Sequence, residues 1–252
     1  MCGRFTLITT PGAVEDVFSV IDLDPFPERY NIAPTQPVLV VVSAPSREPG
    51  SNLPDRQAVL VRWGLIPSWA KNPADMPLMI NARAETVGEK AAFKTALRHR
   101  RVLVPTTGFY EWRREGKTRQ PFFIRPKGGG LIAFAGLMES FSEPGGSEID
   151  TAAILTTSAN TALADIHDRM PVVIRREDFA RWLDCLTQEP RDVVDLLRPV
   201  QPDFFEAIPV SDRVNKVANL GPDLIERVED PVVAPQPKPK KKNEDQDQLR
   251  LF

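Results

Sequence analysis

A chain of 252 residues that is 42% hydrophobic and 26% charged can bury a substantial core, as one large domain or two small ones, and its longest apolar runs are far too short to span a bilayer. A formal net charge of −2 excludes a generally basic nucleic-acid binder, so any polyanion site must be a local patch. Two cysteines make no disulfide scaffold and the first twenty residues lack the apolar core of a signal peptide, so a cytoplasmic chain with free thiols and no membrane association is expected.

In chain order, the run "GRFTLI" behind Met1-Cys2 has strand character, and a helix is expected over 11–20 after Thr10. Strands follow at "PVLVVV" (37–42) and "AVLVRW" (58–63), then a helix at about 89–98. Five more β-rich runs come next: "RVLVP", "GFYEW", "PFFIR", "LIAFAGLM" and "TAAILTT". A short helix is expected over 160–166 behind Asn160 or Ser158, then the strand "PVVI", helices over 177–186 and 190–198, and the strand "EAIPV". Strands outnumber helices and do not alternate with them as βαβ units would. The expectation is an α+β fold: one domain over 1–230 of curved, mainly antiparallel, open barrel-like β-sheets with short peripheral helices. From Pro231 the composition changes to proline, lysine and acidic blocks without apolar periodicity, which predicts a disordered tail over 231–252. That tail holds five Lys/Arg and three Asp/Glu, leaving 27 against 31, or −4, for the remainder.

Cys2 is the first residue with a chemical argument. If Met1 is removed, it carries an α-amine (pKa about 7.7–8.0) beside a thiol (about 8.5). Such a 1,2-aminothiol captures an aldehyde durably: the amine forms an imine, and the thiol closes on it to a thiazolidine. The alternative is a small residue that merely enters the first strand. Glu111 lies between Tyr110 and Trp112, where desolvation would raise its pKa toward that of a general acid, unless alternation puts it on the solvent face. His167, one of two histidines, precedes a Pro-initiated strand and is either catalytic or structural. Asn81 and Arg83 share one face if "MINARAET" is extended, a pairing suited to an anionic or hydroxyl-rich ligand. Trp63 and Trp69 with Arg62 and Lys71, and the basic run Lys94, Arg98, Arg100 and Arg101, fit single-strand binding by stacking and phosphate contacts, or else core tryptophans and a solvated basic helix.

The blocks "MCGRF", "YNIAPTQ", "RWGLIPSWA", "NARAET", "LVPTTGFYEW", "AGLMES", "TTSAN" and "HDRMPVVI" occur in one order over residues 2–220. The series resembles the SOS response-associated peptidase family, sensors of abasic sites in single-stranded DNA. The resemblance implies that Cys2 bonds covalently to the ring-opened sugar, that Asn81 holds the cysteine and the sugar, and that Glu111 and His167 act as acid/base groups. It further implies that Arg4 and Arg83 grip flanking phosphates and that Trp69, with neighbouring loop residues, wedges against bases. Pro34, Arg62, Lys71 and Arg98 complete the expected DNA-binding set. No cofactor or metal is implied, and a monomer at the nucleoid or replication fork is expected. Two positions depart from the family pattern: Val102 stands where many relatives have cysteine, and Met138 where tryptophan is expected. The family name carries a second reading, a cysteine peptidase with Cys2 as nucleophile and His167 as base; only Met1 precedes Cys2, so no propeptide is expected and proteolysis would be confined to the protein itself or its crosslink. A non-covalent single-strand binding module is the third.

The chain ends Gln248-Leu249-Arg250-Leu251-Phe252. This Q-L-x-L-F string resembles the peptide that docks bacterial repair proteins on the replicative sliding clamp, with Leu249, Leu251 and Phe252 entering an apolar groove and Gln248 at its rim.

Overall fold

Short β-rich runs punctuated by proline and glycine become thirteen strands and four α-helices among the described residues, 2–45, 51–142 and 145–229 of this computed structural model. In chain order these are β1 (Phe5–Leu7), α1 (Pro11–Phe18), β2 (Arg29–Ile32), β3 (Pro37–Ser43), β4 (Arg56–Trp63), β5 (Asn81–Arg83), α2 (Ala91–His99), β6 (Arg101–Thr106) and β7 (Gly108–Glu115). They continue with β8 (Thr118–Pro126), β9 (Ile132–Ser142), β10 (Glu148–Ser158), β11 (Arg169–Pro171), β12 (Val173–Ile174), α3 (Phe179–Leu183), α4 (Pro190–Val193) and β13 (Phe205–Pro209). The expected tail and its terminal string lie outside the described residues. No helix among the described residues is long and apolar enough to cross a membrane.

The α+β architecture is mainly antiparallel, as expected, and one of its sheets closes on itself. Strands β4, β3, β6 and β9 pair antiparallel in that order, β9 pairs antiparallel with β10, and β10 returns to β4. A ring of five strands cannot alternate direction all the way round, so one pairing must be parallel; here it is β10 with β4. Closure removes the exposed edges that an open sheet would leave. The second sheet runs β13-β8-β7-β1-β2.

The chain crosses from ring to second sheet at the single residue Thr107, between β6 and β7. Three threonine hydroxyls hold that corner: Thr106 Oγ1 donates to the Thr6 carbonyl at 3.0 Å, Thr6 and Thr107 share a 2.8 Å hydrogen bond, and the Ile8 amide donates to Thr107 Oγ1 at 3.0 Å. Gly108 follows because a Cβ there would lie 2.5 Å from the Phe123 ring.

Period-2 alternation sorts the ring's side chains between two cores. Val38, Val40, Val102, Val104, Phe134 and Ile154 join Phe5, Phe109 and Ile124 of the second sheet. Val41, Leu103, Leu137 and Leu155 instead meet the helices at Phe18, Leu97, Phe179 and Trp182. Each of these buried large side chains contributes about 1.5–3 kcal/mol. Val102 is fully buried, and with Met138 it lines a cleft of about 940 Å³ that also touches Arg101, Leu183 and Cys185 and none of Cys2, Asn81, Glu111 or His167.

The helices are shorter than their apolar spacing predicts. Thr10 caps α1 by accepting from the Ala13 amide, and Ser19 ends it in the left-handed region at φ 56°. The expected helix over 160–166 is a set of turns instead. Asn160 Oδ1 takes the amides of Ala162 and Leu163 while its Nδ2 donates to the Val200 carbonyl, so its side chain secures one turn with no helix built beyond it. Arg101 belongs to no solvated basic face: it is buried and donates to the carbonyls of Leu97, Trp182, Asp184 and Gln188, tying α2 to the α3–α4 loop.

Candidate active site

Four chain segments converge on Cys2. It leads into β1, which lies between β2 and β7. Its side chain is fully buried in the core shared by the two sheets, and Sγ donates to the Arg4 carbonyl at 3.7 Å. Burial pushes the thiol well up, and the nearby Glu111 carboxylate adds to the rise, so the sulfur holds its proton through neutral pH.

Asn81 opens β5, and its position is fixed by the residue before it. The Ile80 carbonyl accepts from both Trp63 Nε1 at 2.9 Å and the Ile154 amide at 3.0 Å. From there Asn81 Nδ2 donates to the Cys2 carbonyl at 3.0 Å. Its Oδ1 is buried without a partner among the described residues. A buried acceptor left unmade costs about 1–3 kcal/mol, which a ligand donor would recover.

Glu111 sits mid-strand in β7 and is buried, not on a solvent face. The sequence argument named Tyr110 and Trp112 as the desolvating neighbours, but alternation sends both to the opposite face, against Val210 and Val214. Phe122, directly opposite on β8, covers the Glu111 side. Burial raises the carboxyl to about 7, with Asp168 adding to the rise.

His167 lies in the turn before β11, half-buried, with Nε2 3.9 Å from Glu111 Oε2. The Arg169 amide donates to its Nδ1 at 3.0 Å, while Asp168 Oδ1 also lies 3.0 Å from that nitrogen. One nitrogen cannot serve both. The backbone amide is fixed and Asp168 is 85% exposed, so in the neutral ring Nδ1 accepts and the proton sits on Nε2, toward Glu111. Burial lowers the ring's proton affinity, the charge of the amino terminus lowers it further with a smaller push from Arg114, and Asp168 partly offsets them. Near neutrality the site thus sets a carboxyl whose pKa is raised to about 7 beside a neutral imidazole, close enough for both to reach the same substrate atom.

The expected DNA-binding residues separate into two groups. Arg83 ends β5 exposed, Trp69 is 58% exposed, Lys71 is exposed, and Pro34 sits in a turn whose Thr35 amide donates to the Trp63 carbonyl. Trp63 is buried and has no free face for a base. Arg62 donates to the Gly64 carbonyl at 3.0 Å. Arg98 pairs with Glu189 at 2.9 Å, on the helical side of the molecule. Arg4 is engaged inside the protein, donating to Asn31 Oδ1 and the Val214 carbonyl, each at 2.7 Å, and to the Asn215 carbonyl at 3.2 Å. Asn31 was not singled out by sequence; it gathers the carbonyls of Val214, Lys216 and Asn219 and holds the 211–221 segment beside Arg4. No group of three or more potential metal ligands occurs among the described residues.

Three comparisons bear on this geometry. The chain is 41% identical over 233 residues to the "Abasic site processing protein YoqW" of Bacillus subtilis (strain 168), spanning 90% of this chain and 99% of that one. It is 34% identical over 235 residues to the "Abasic site processing protein YedK" of Escherichia coli (strain K12), spanning 90% and 100%. A crystal structure of a Bacteroides thetaiotaomicron protein shares the fold, with a TM-score of 0.77 at 23% identity over 90% of this chain and 100% of that one. The model of the SOS response associated peptidase (SRAP) family matches residues 1–217, and the chain belongs to that family.

Proposed function

We propose that this protein senses abasic sites in single-stranded DNA and crosslinks to them through Cys2 once Met1 is removed, shielding the lesion. The observation that carries the reading is the convergence of Asn81, Glu111 and His167 on Cys2, in a family whose relatives above are named abasic site processing proteins.

The chemistry follows from the protonation states. Glu111 gives its proton to the ring oxygen and takes that of the C1′ hydroxyl on its other carboxyl oxygen, opening the sugar to an aldehyde, while His167 Nε2–H donates a hydrogen bond to the departing ring oxygen. The Cys2 amine attacks C1′ and water leaves, giving an imine. The thiol then adds to the imine carbon and its proton passes to nitrogen, closing the thiazolidine. A thiol held protonated by burial suits this order, amine first and sulfur second, better than the lowered pKa that acyl transfer to cysteine requires. Asn81 Oδ1 accepts from the Cys2 amine or a sugar hydroxyl. Arg83, Lys71 and Trp69 supply phosphate and base contacts, with Pro34 and Arg62 shaping the loops beside them.

Incubation with an oligonucleotide bearing one abasic site tests the reading. A denaturation-resistant adduct that is lost in Cys2→Ala, and lost when the α-amine is blocked, is expected; a mobility shift without an adduct would sink it.

The terminal Gln248-Leu249-Arg250-Leu251-Phe252 string supports a second proposal, docking on the replicative sliding clamp, which would place a cytoplasmic monomer at the fork. Unchanged clamp capture after deletion of 248–252 would refute it.

A further inference from the structure

Arg169 joins the two segments that carry Asn81 and His167. Its backbone amide donates to His167 Nδ1 at 3.0 Å. Its guanidinium meets Glu85 fork to fork, Nη1 to Oε1 at 2.7 Å and Nη2 to Oε2 at 2.8 Å, and Nη2 also donates to the Thr156 carbonyl at 2.7 Å. That same carbonyl takes the Ala84 amide at 2.8 Å, one residue after β5 ends its parallel pairing with β10 at Arg83. The Arg169 side chain is 12% exposed and Glu85 47%. An ordinary exposed ion pair contributes little, but a planar fork anchored on a third acceptor fixes orientation as well as distance.

His167 needs such an anchor. It lies in a turn outside the three-residue β11, so no ladder of its own holds the ring. Its Nδ1 is offered two incompatible partners, the Arg169 amide and the exposed Asp168 carboxylate. The first keeps the proton on Nε2, facing Glu111; the second would draw it to Nδ1. We infer that Glu85 is a positioning residue which, through Arg169, holds the backbone amide against His167 Nδ1 and so selects the tautomer that faces Glu111. The inference rests on the proposed crosslinking role of His167.

The test uses the full chain with Glu85→Gln and Glu85→Asp, and Arg169→Lys as the variant that keeps charge but loses the fork. The charged groups facing the imidazole are Glu111, Asp168, Arg114 and the amino terminus of the chain, and none of these is altered. Single-turnover adduct formation on an abasic oligonucleotide is expected to slow about ten- to a hundredfold in Glu85→Gln and Arg169→Lys, and less in Glu85→Asp. Affinity of Glu85→Gln for the same strand with an unreactive tetrahydrofuran residue should stay within about twofold or tighten, since a negative charge is removed. Independently of activity, imidazole ¹⁵N shifts should report Nε2–H at His167 in the parent and a mixture in Glu85→Gln; with only His99 besides, assignment is direct. An unchanged rate and unchanged ¹⁵N shifts would overturn the inference, as would a rate loss matched by the loss of affinity. A parent protein that forms no adduct would instead overturn the proposed function, leaving the ¹⁵N result to decide the tautomer.

Discussion

Asn81 Nδ2 holds the Cys2 backbone carbonyl at 3.0 Å, so the strand that pairs with β10 of the ring fixes the residue that leads into β1 of the other sheet. The same side chain leaves its Oδ1 buried and unpartnered among the described residues. Asn81→Asp keeps the shape but replaces the donor with a second acceptor against a carbonyl. Adduct formation is expected to fall about a hundredfold, with the affinity for unreactive abasic DNA nearly retained. Single-turnover gels and fluorescence titration separate the two.

Glu111 sets the pH dependence. With its carboxyl raised to about 7, the acid form needed for ring opening disappears as pH rises through that value, and the rate should drop tenfold per unit above it. The stability consequence has a definite sign. The folded pKa lies above the ordinary 4.5, so the folded state binds the proton more tightly and stability falls as pH rises from about 4.5 to about 7. Glu111→Gln removes that loss, about 3 kcal/mol at pH 8 and little at pH 4. Thermal melts at the two pH values check it.

Arg4 is expected to act as a structural anchor for the 211–221 segment. Arg4→Ala removes hydrogen bonds to three acceptors and leaves Oδ1 of buried Asn31 without its donor, which should cost about 2–3 kcal/mol in a urea melt. A residue serving only to grip phosphate would leave the melt unchanged.

Thiol reactivity should divide the two cysteines against their order in the chain. Cys2 is buried with a raised pKa, whereas Cys185 is partly exposed. Iodoacetamide at pH 7.5 should label Cys185 first, by about tenfold or more, as peptide mapping would show. Faster labelling of Cys2 would contradict the proton-holding thiol.

The fold was legible where apolar runs met proline and glycine, because half-buried strands write their period directly into the chain. Ring closure was not, since the parallel β10–β4 pairing joins segments far apart in sequence and leaves no local mark. The site shows the same division. Cys2, Asn81, Glu111 and His167 are singled out from their own chemistry and their shared family blocks, and the structure brings Asn81 to Cys2 and His167 to Glu111. The cause of Glu111 desolvation was misread, because Tyr110 and Trp112 flank it in sequence but face the other side of β7. Asn31, Glu85 and Arg169 lie inside the family blocks, but their roles depend on partners across the fold, to which spacing alone gives no clue.

The most direct measurement is the intact mass of the protein after incubation with an abasic single-stranded oligonucleotide. The account predicts loss of Met1 and an adduct equal to protein plus oligonucleotide minus one water, unchanged by borohydride because the imine has already closed, and absent in Cys2→Ala. No adduct, or an adduct that survives Cys2→Ala, would contradict it.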